Sequence, residues 1–204
     1  PRAKALGIRI DTRFRFSKGF RPSDTLHDVR AIAALLRENR FDIVHIHTSR
    51  DTWPAALALG PKNRPGRPLL VRTKHHSLKT SSNLAHRWLY GSRIDEMVLA
   101  SNSLRNSIHS LTNRGIVADD HLHVIHSSID VHRFDPAKVS GEKVRAEFGL
   151  VGRFVIGLVG RFAEEKGHVF LLRALEPLVR DCPALVCLLV GDGSLLDEMR
   201  SHVA

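Results

Sequence analysis

Arg161 and Lys166 stand on either side of a turn in the stretch Phe154 to Gly167, FVIGLVGRFAEEKG. The apolar residues Phe154, Val155, Ile156, Leu158 and Val159 read as a buried strand, Gly160 as the turn, and Glu164 to Gly167 as the opening of a helix. A strand that feeds a helix N-terminus through glycine offers an anion free backbone N–H groups and the positive end of the helix dipole. Two cations beside that turn add charge-assisted hydrogen bonds suited to a diphosphate. The spacing is not the dinucleotide fingerprint, because Gly157 and Gly160 are three apart with no G-x-G-x-x-G. Taken alone, the stretch is equally a plain βα turn carrying two solvated charges.

Three more polar clusters follow apolar runs: His45 and His47 in FDIVHIH, His75 and His76 after LLVRTK, and Gly191-Asp192-Gly193 after ALVCLLV. In open parallel sheets ligands sit beyond the C-terminal ends of strands, and all four clusters fall on that rim. Period 2 puts Ile43, His45 and His47 on one strand face, and His121 and His123 share a face in the same way. No carboxylate or cysteine stands at metal-motif spacing near either pair, so histidines making ordinary hydrogen bonds are expected and no metal. No G-x-S-x-G elbow, P-loop or zincin helix is present.

The elements that must position these residues alternate. A short strand is expected at Leu6 to Ile10, then a basic loop, Arg13 to Arg21, interleaved with Phe14, Phe16 and Phe20. A helix capped by Ser23 or Asp24 runs to about Asn39, and a strand covers Phe41 to His47. Thr48 to Trp53 reads as a loop and Pro54 to Leu59 as a short helix. Further strands are expected at 69–73, 97–100, 122–125, 154–159 and 184–190, with helices between them. The order strand, helix, strand, helix implies βαβ units and an α/β fold with mostly parallel sheets. From about Ser127 to Gly152 the chain turns polar and reads as a connection. The expected division is therefore 1–149, with that connection from about 127, and 150–204.

Composition narrows the partners. Residues 1–149 carry 25 Lys+Arg against 14 Asp+Glu, a net of +11, whereas residues 150–204 are nearly neutral. A basic N-terminal part suits an anionic partner such as a membrane surface or an acidic or lipid-linked glycan. The Arg13 to Arg21 loop is the candidate membrane contact. A nucleic-acid-binding module would also be basic, but no helix clusters Arg and Lys as groove entry requires, so nucleic acid is not expected. No apolar run approaches the roughly 20 residues of a membrane helix. Cys182 and Cys187 form no disulfide framework and fit a reducing compartment.

Six stretches of the chain, in order, resemble a known family. FDIVHIH, the T-K-H of Thr73 to His75, LASNSL (99–104), VIHSSIDVHRFDP (124–136), IGLVGRFAEEKG (156–167) and LLVGDGSLLDEM (188–199) are similar to the retaining GT-B glycosyltransferases. That group includes sucrose-phosphate synthases and bacterial cell-surface glycan enzymes. The resemblance implies two Rossmann-like domains, the first for the acceptor and the second for a nucleotide-sugar donor. It implies metal-independent transfer with retention, in cell-envelope glycan synthesis, by a cytoplasmic enzyme peripheral to the inner face of the membrane. By position, it assigns Arg161 and Lys166 to the donor diphosphate and the leaving group, His47 to the transferred sugar, and His75 and His76 to the acceptor side. Gly160, Gly191 and Gly193 fall beside the nucleotide. A nucleotide-sugar epimerase on the same fold is the alternative enzyme. Where the family carries Pro-Asn-Gly this chain has His126, Ser127 and Ser128, and no Glu-x7-Glu pair occurs in it. The expectation is an internal segment of a two-domain enzyme, lacking the first strand and the acidic donor motif and inactive by itself.

Overall fold

A computed structural model of the chain describes residues 5–17, 19 and 21–203. Lys18 and Phe20 of the basic loop lie outside the described residues. The chain divides into two compact units, Pro1–Ser128 and Ile129–Ala204.

The first unit is built on a four-stranded sheet, β1 (Ile43–Ile46), β2 (Leu69–Lys74), β3 (Glu96–Leu99) and β4 (Leu122–Val124), in the order β1-β2-β3-β4 with every neighbouring pair parallel. Helix α1 (Pro22–Glu38) precedes β1, and α2 (Ser49–Leu59), α3 (Leu84–Ser92) and α4 (Arg105–Thr112) connect the successive strands. Leu70, Leu99 and Met97 of the sheet are buried with Ala55, Ala56 and Leu59 of α2, Leu89 of α3, and Ile108 and Leu111 of α4. At the N-terminal end of β2, Arg67 makes a two-oxygen contact with the Asp95 carboxylate at 2.7 and 2.6 Å, and Asp95 also accepts from the Leu70 amide at 2.7 Å. This nearly buried pair sets β2 against the start of β3.

Several local expectations change. Residues 8–10 form no strand. α1 starts at Pro22, where a missing N–H costs nothing, and Ser23 and Asp24 do not cap it. The Asp24 carboxylate goes to Arg15 at 2.8 Å and to the Ser17 hydroxyl instead. The Arg13–Arg21 loop is tied down rather than free: Arg13 pairs with Asp11 and Glu38, and the amides of Arg15 and Phe16 donate to the buried carboxylate of Asp28. Phe14 and Phe16 stack on each other and pack on the core. α2 begins five residues before Pro54. A capping box explains this, since Thr48 accepts from the Arg50 amide while Asp51 accepts from the Thr48 amide.

The second unit holds two parallel strands, β5 (Phe154–Val159) and β6 (Leu185–Val190), in unbroken register from Phe154 opposite Leu185 to Val159 opposite Val190. Around them lie α5 (Glu142–Glu147), α6 (His168–Asp181) and α7 (Leu196–Val203). Leu150, Phe162, Leu175, Leu185 and Met199 are buried. A two-stranded sheet has two edges and little face to cover, so Phe154, Val159 and Phe170 remain exposed. No described helix is long and apolar enough to cross a membrane.

Candidate functional site

The four polar clusters do gather at strand C-terminal ends, with His45 still inside β1, but on two separate sheets. In the first unit β1 and β2 run parallel with Ile46 opposite Arg72, so both strands release their chains on one rim. His47 follows β1 and its amide donates to Asp51 at 3.1 Å, so the capping box of α2 also fixes the histidine backbone. His75 follows β2. The segment after it is held by buried Lys74, whose ammonium donates to the Leu78 carbonyl at 2.9 Å and to the Thr80 hydroxyl at 3.1 Å. Burial first, and then the charge of Arg72, lower the Lys74 pKa.

These anchors bring three imidazoles together. His47 Nδ1 lies 3.1 Å from His75 Nε2, and the His45 and His47 rings are 4.2 Å apart between centroids. His45 Nε2 is 2.7 Å from the hydroxyl of buried Thr73. Burial, followed by the neighbouring charges of His47 and His75, lowers the His45 pKa, so at neutral pH it is an uncharged hydrogen-bonding group. His76 stays apart; it is exposed and makes no hydrogen bond, ion pair or ring contact among the described residues. His121 and His123 meet a carboxylate that the sequence spacing did not reveal: Glu96 takes one ring nitrogen on each oxygen, at 2.9 and 2.8 Å. That cluster lies at the N-terminal end of β3, away from the rim.

In the second unit the turn after β5 and the turn after β6 are locked backbone to backbone. The Gly160 amide donates to the Val190 carbonyl at 2.9 Å, Phe162 to Asp192 at 2.8 Å, and Leu195 to Phe162 at 3.1 Å. Gly191 and Gly193 are the glycines this contact requires. A Cβ on Gly191 would stand 1.9 Å from the Gly160 carbonyl oxygen, and one on Gly193 would stand 2.4 Å from that of Phe162. Gly160 itself would meet only ordinary contacts. The residues read as a helix opening, Glu164 to Gly167, lie outside the helix itself. Residues Glu164–Lys166 form a single 3₁₀ turn, Gly167 takes the left-handed conformation at φ 72°, and α6 starts at His168.

Both cations project from this frame. Arg161 is 67% exposed and its guanidinium pairs with Glu165, one turn on. The Glu165 carboxyl is held below its usual pKa by its own backbone amide and then by Arg161. Lys166 is exposed with no ion-pair partner among the described residues. Sequence reasoning missed what lies beneath. Phe162 is buried and stacks on His168 at 4.5 Å, and His168 is 1% exposed with neither ring nitrogen hydrogen-bonded.

The chain belongs to Glycosyltransferase Family 4, whose sequence profile it matches over residues 1–133. It is 25% identical over 177 residues to the UDP-Gal:alpha-D-GlcNAc-diphosphoundecaprenol alpha-1,3-galactosyltransferase of Escherichia coli, covering 81% of this chain and 44% of that one. Its fold matches a glycosyltransferase from Rickettsia africae with a TM-score of 0.73 at 23% identity, over 99% of this chain and 52% of that one. It also matches Anabaena Alr3699/HepE, crystallised with UDP and glucose, with a TM-score of 0.72 at 19% identity, over 98% of this chain and 53% of that one. The chain thus spans about half the length of the curated relatives it matches.

Proposed function

We infer that this chain carries the acceptor-side unit and the diphosphate-binding part of a retaining glycosyltransferase. The donor is a UDP-sugar and the acceptor a glycan or a lipid-linked sugar of the cell envelope. The observation that carries the reading is the locked double turn of the second unit, which holds the backbone around Gly160, Arg161 and Phe162 rigid and leaves the Arg161 and Lys166 side chains outside it. Negative charge grows on the departing diphosphate during sugar transfer. Cations fixed before the reaction stabilise that charge without reorganising, which lowers the barrier. Side-chain cations in this role make a metal unnecessary. Glu165 holds Arg161 before the donor binds, and on binding Arg161 exchanges that one carboxylate for the two phosphate groups. His47 meets the transferred sugar, and His75 and His76 face the acceptor. The related Escherichia coli enzyme is named for a UDP-sugar donor and a diphosphoundecaprenol-linked acceptor, which supports both substrate classes. The net +11 of the first unit suits an acceptor at an anionic membrane face. Since Arg13 and Arg15 are engaged in ion pairs, that attraction comes from the unit's whole surface and not from the basic loop alone.

Calorimetric titration of the chain with UDP, UDP-glucose and UDP-galactose tests the donor half. Saturable binding that weakens about tenfold or more in Arg161→Ala and in Lys166→Ala is expected, each loss matching a charge-assisted hydrogen bond. Absence of binding, or binding indifferent to both substitutions, would overturn the reading. In turnover assays of the enzyme, Arg161→Ala lowers kcat more than it raises the donor KM if the cation acts on the transition state.

A further inference from the structure

We propose that His75 is a positioning residue for His47: it donates a hydrogen bond from Nε2 to His47 Nδ1 and thereby fixes His47 as the Nε2–H tautomer, a donor toward the sugar. This inference rests on the reading of His47 as the sugar contact. The geometry comes first. The nitrogens are 3.1 Å apart, the ring planes differ by 22°, and the centroids are 5.4 Å apart. That centroid separation is the nitrogen contact extended by about one ring radius at each end. The rings therefore meet edge to edge, with the nitrogens facing along their own in-plane axes, where the lone pair and the N–H of an imidazole lie.

A bond between two neutral rings needs one proton and one lone pair, and only two assignments satisfy it. If His75 donates, both rings carry their proton on Nε2. If His47 donates, both must carry it on Nδ1. The Nε2–H form is the commoner tautomer of a free histidine side chain, so the second assignment pays a tautomer penalty in both rings. Nothing in the structure offsets it, because His47 Nε2 and His75 Nδ1 have no partner among the described residues. His45 supplies none: its Nε2 is committed to Thr73, and among the described residues it meets His47 through a ring contact and not a hydrogen bond. Its ring instead flanks His47 at 4.2 Å and limits rotation away from His75. The consequence is chemical. With Nδ1 occupied and Nε2 protonated, His47 has no free lone pair for taking a proton from the acceptor; it offers a hydrogen bond to an oxygen of the transferred sugar.

The test is imidazole nitrogen NMR on the chain at about pH 8.5, above the ordinary histidine range. A bare Nδ1 and a protonated Nε2 on both His47 and His75 are expected. His75→Phe keeps a ring but removes the donor, and releases His47 into a mixture of tautomers. His75→Gln places an amide N–H near the former Nε2 and preserves the His47 form. A protonated Nδ1 on His47 in the parent chain, or a His47 tautomer unmoved by His75→Phe, would overturn the assignment. In the turnover assay, His75→Phe lowers kcat about 2–10-fold, the worth of one hydrogen bond, with KM little changed and with rescue by Gln. Equal losses in Phe and Gln would refute the donor role. The NMR result does not depend on turnover, so a failure of the glycosyltransferase reading would be seen separately.

Discussion

Gly191 and Gly193 are the residues on which the double turn of the second unit depends most, because their missing Cβ atoms are what allow two backbones to touch. Substituting alanine at Gly191 puts a methyl group where the Gly160 carbonyl oxygen stands, and backbone cannot yield as a flexible side chain would. Gly191→Ala should therefore destabilise the second unit by about 3 kcal/mol, the upper end of the usual overpacking cost, and also weaken UDP binding by displacing Arg161. Gly157 is the control. A Cβ there meets nothing within 4 Å, so Gly157→Ala should change stability by no more than about 0.5 kcal/mol. Urea unfolding of both variants, followed by donor titration, makes the comparison. This distinction was not legible from the sequence, where Gly157, Gly160, Gly191 and Gly193 all read as turn or strand glycines. Which of them needs to be glycine depends on a neighbour 31 residues away in the chain.

At the level of elements, two carboxylates at the start of β3 hold the sheet in different ways. Asp95 neutralises nearly buried Arg67 and accepts from the Leu70 amide. Asp95→Ala would leave a buried guanidinium without its counter-charge, and a loss of about 3–5 kcal/mol is expected by chemical denaturation. Glu96 joins β3 to His121 and His123 of the neighbouring segment. Burial pushes the Glu96 carboxyl up, but the two imidazole hydrogen bonds outweigh it and its pKa falls below the usual value. The hydrogen bond that His121 donates to Glu96, and then the charge of that carboxylate, raise the His121 pKa. The raised histidine contributes stability that is complete below its unfolded value of 6.5 and fades as pH rises through the folded one. The depressed carboxyl contributes stability that is present above 4.5 and fades as pH falls through its folded value. The two contributions overlap between those limits. First-unit stability should thus show a shallow maximum there, shallow because the rings are half-exposed and screened. Glu96→Gln should flatten it in a thermal-melt series across pH.

At the scale of the whole molecule the chain is two units, each with its own sheet and buried residues. The charge follows the same division. Residues 1–128 hold 21 Lys+Arg against 10 Asp+Glu, and residues 129–204 hold 10 against 11. Ile129, Val131 and Phe134 lie exposed just past the boundary. Limited proteolysis is expected to cut first within 127–141, and calorimetry to resolve two transitions, of which only the second-unit transition moves up with UDP. A single cooperative transition, shifted as a whole by UDP, would contradict separate units.

Hydropathy period and turn chemistry alone determined the order of elements, the parallel α/β class, and the placing of His47, His75, Arg161 and Lys166 beyond strand ends. Those signals are local, carried by residues two to five apart. They failed where local signals competed. Pro54 looked like a helix start although Thr48 and Asp51 had already capped α2. Asp24 looked like a cap although Arg15 and Ser17 claim its carboxylate. Only the tertiary structure decided the contacts between residues far apart in sequence: His47 with His75, Glu96 with His121 and His123, and Gly191 against Gly160. Such contacts depend on strand register and on the close approach of separate backbones. No window of sequence contains both partners, so the fold was readable from the chain, whereas the chemistry of its histidines and glycines had to wait for their neighbours.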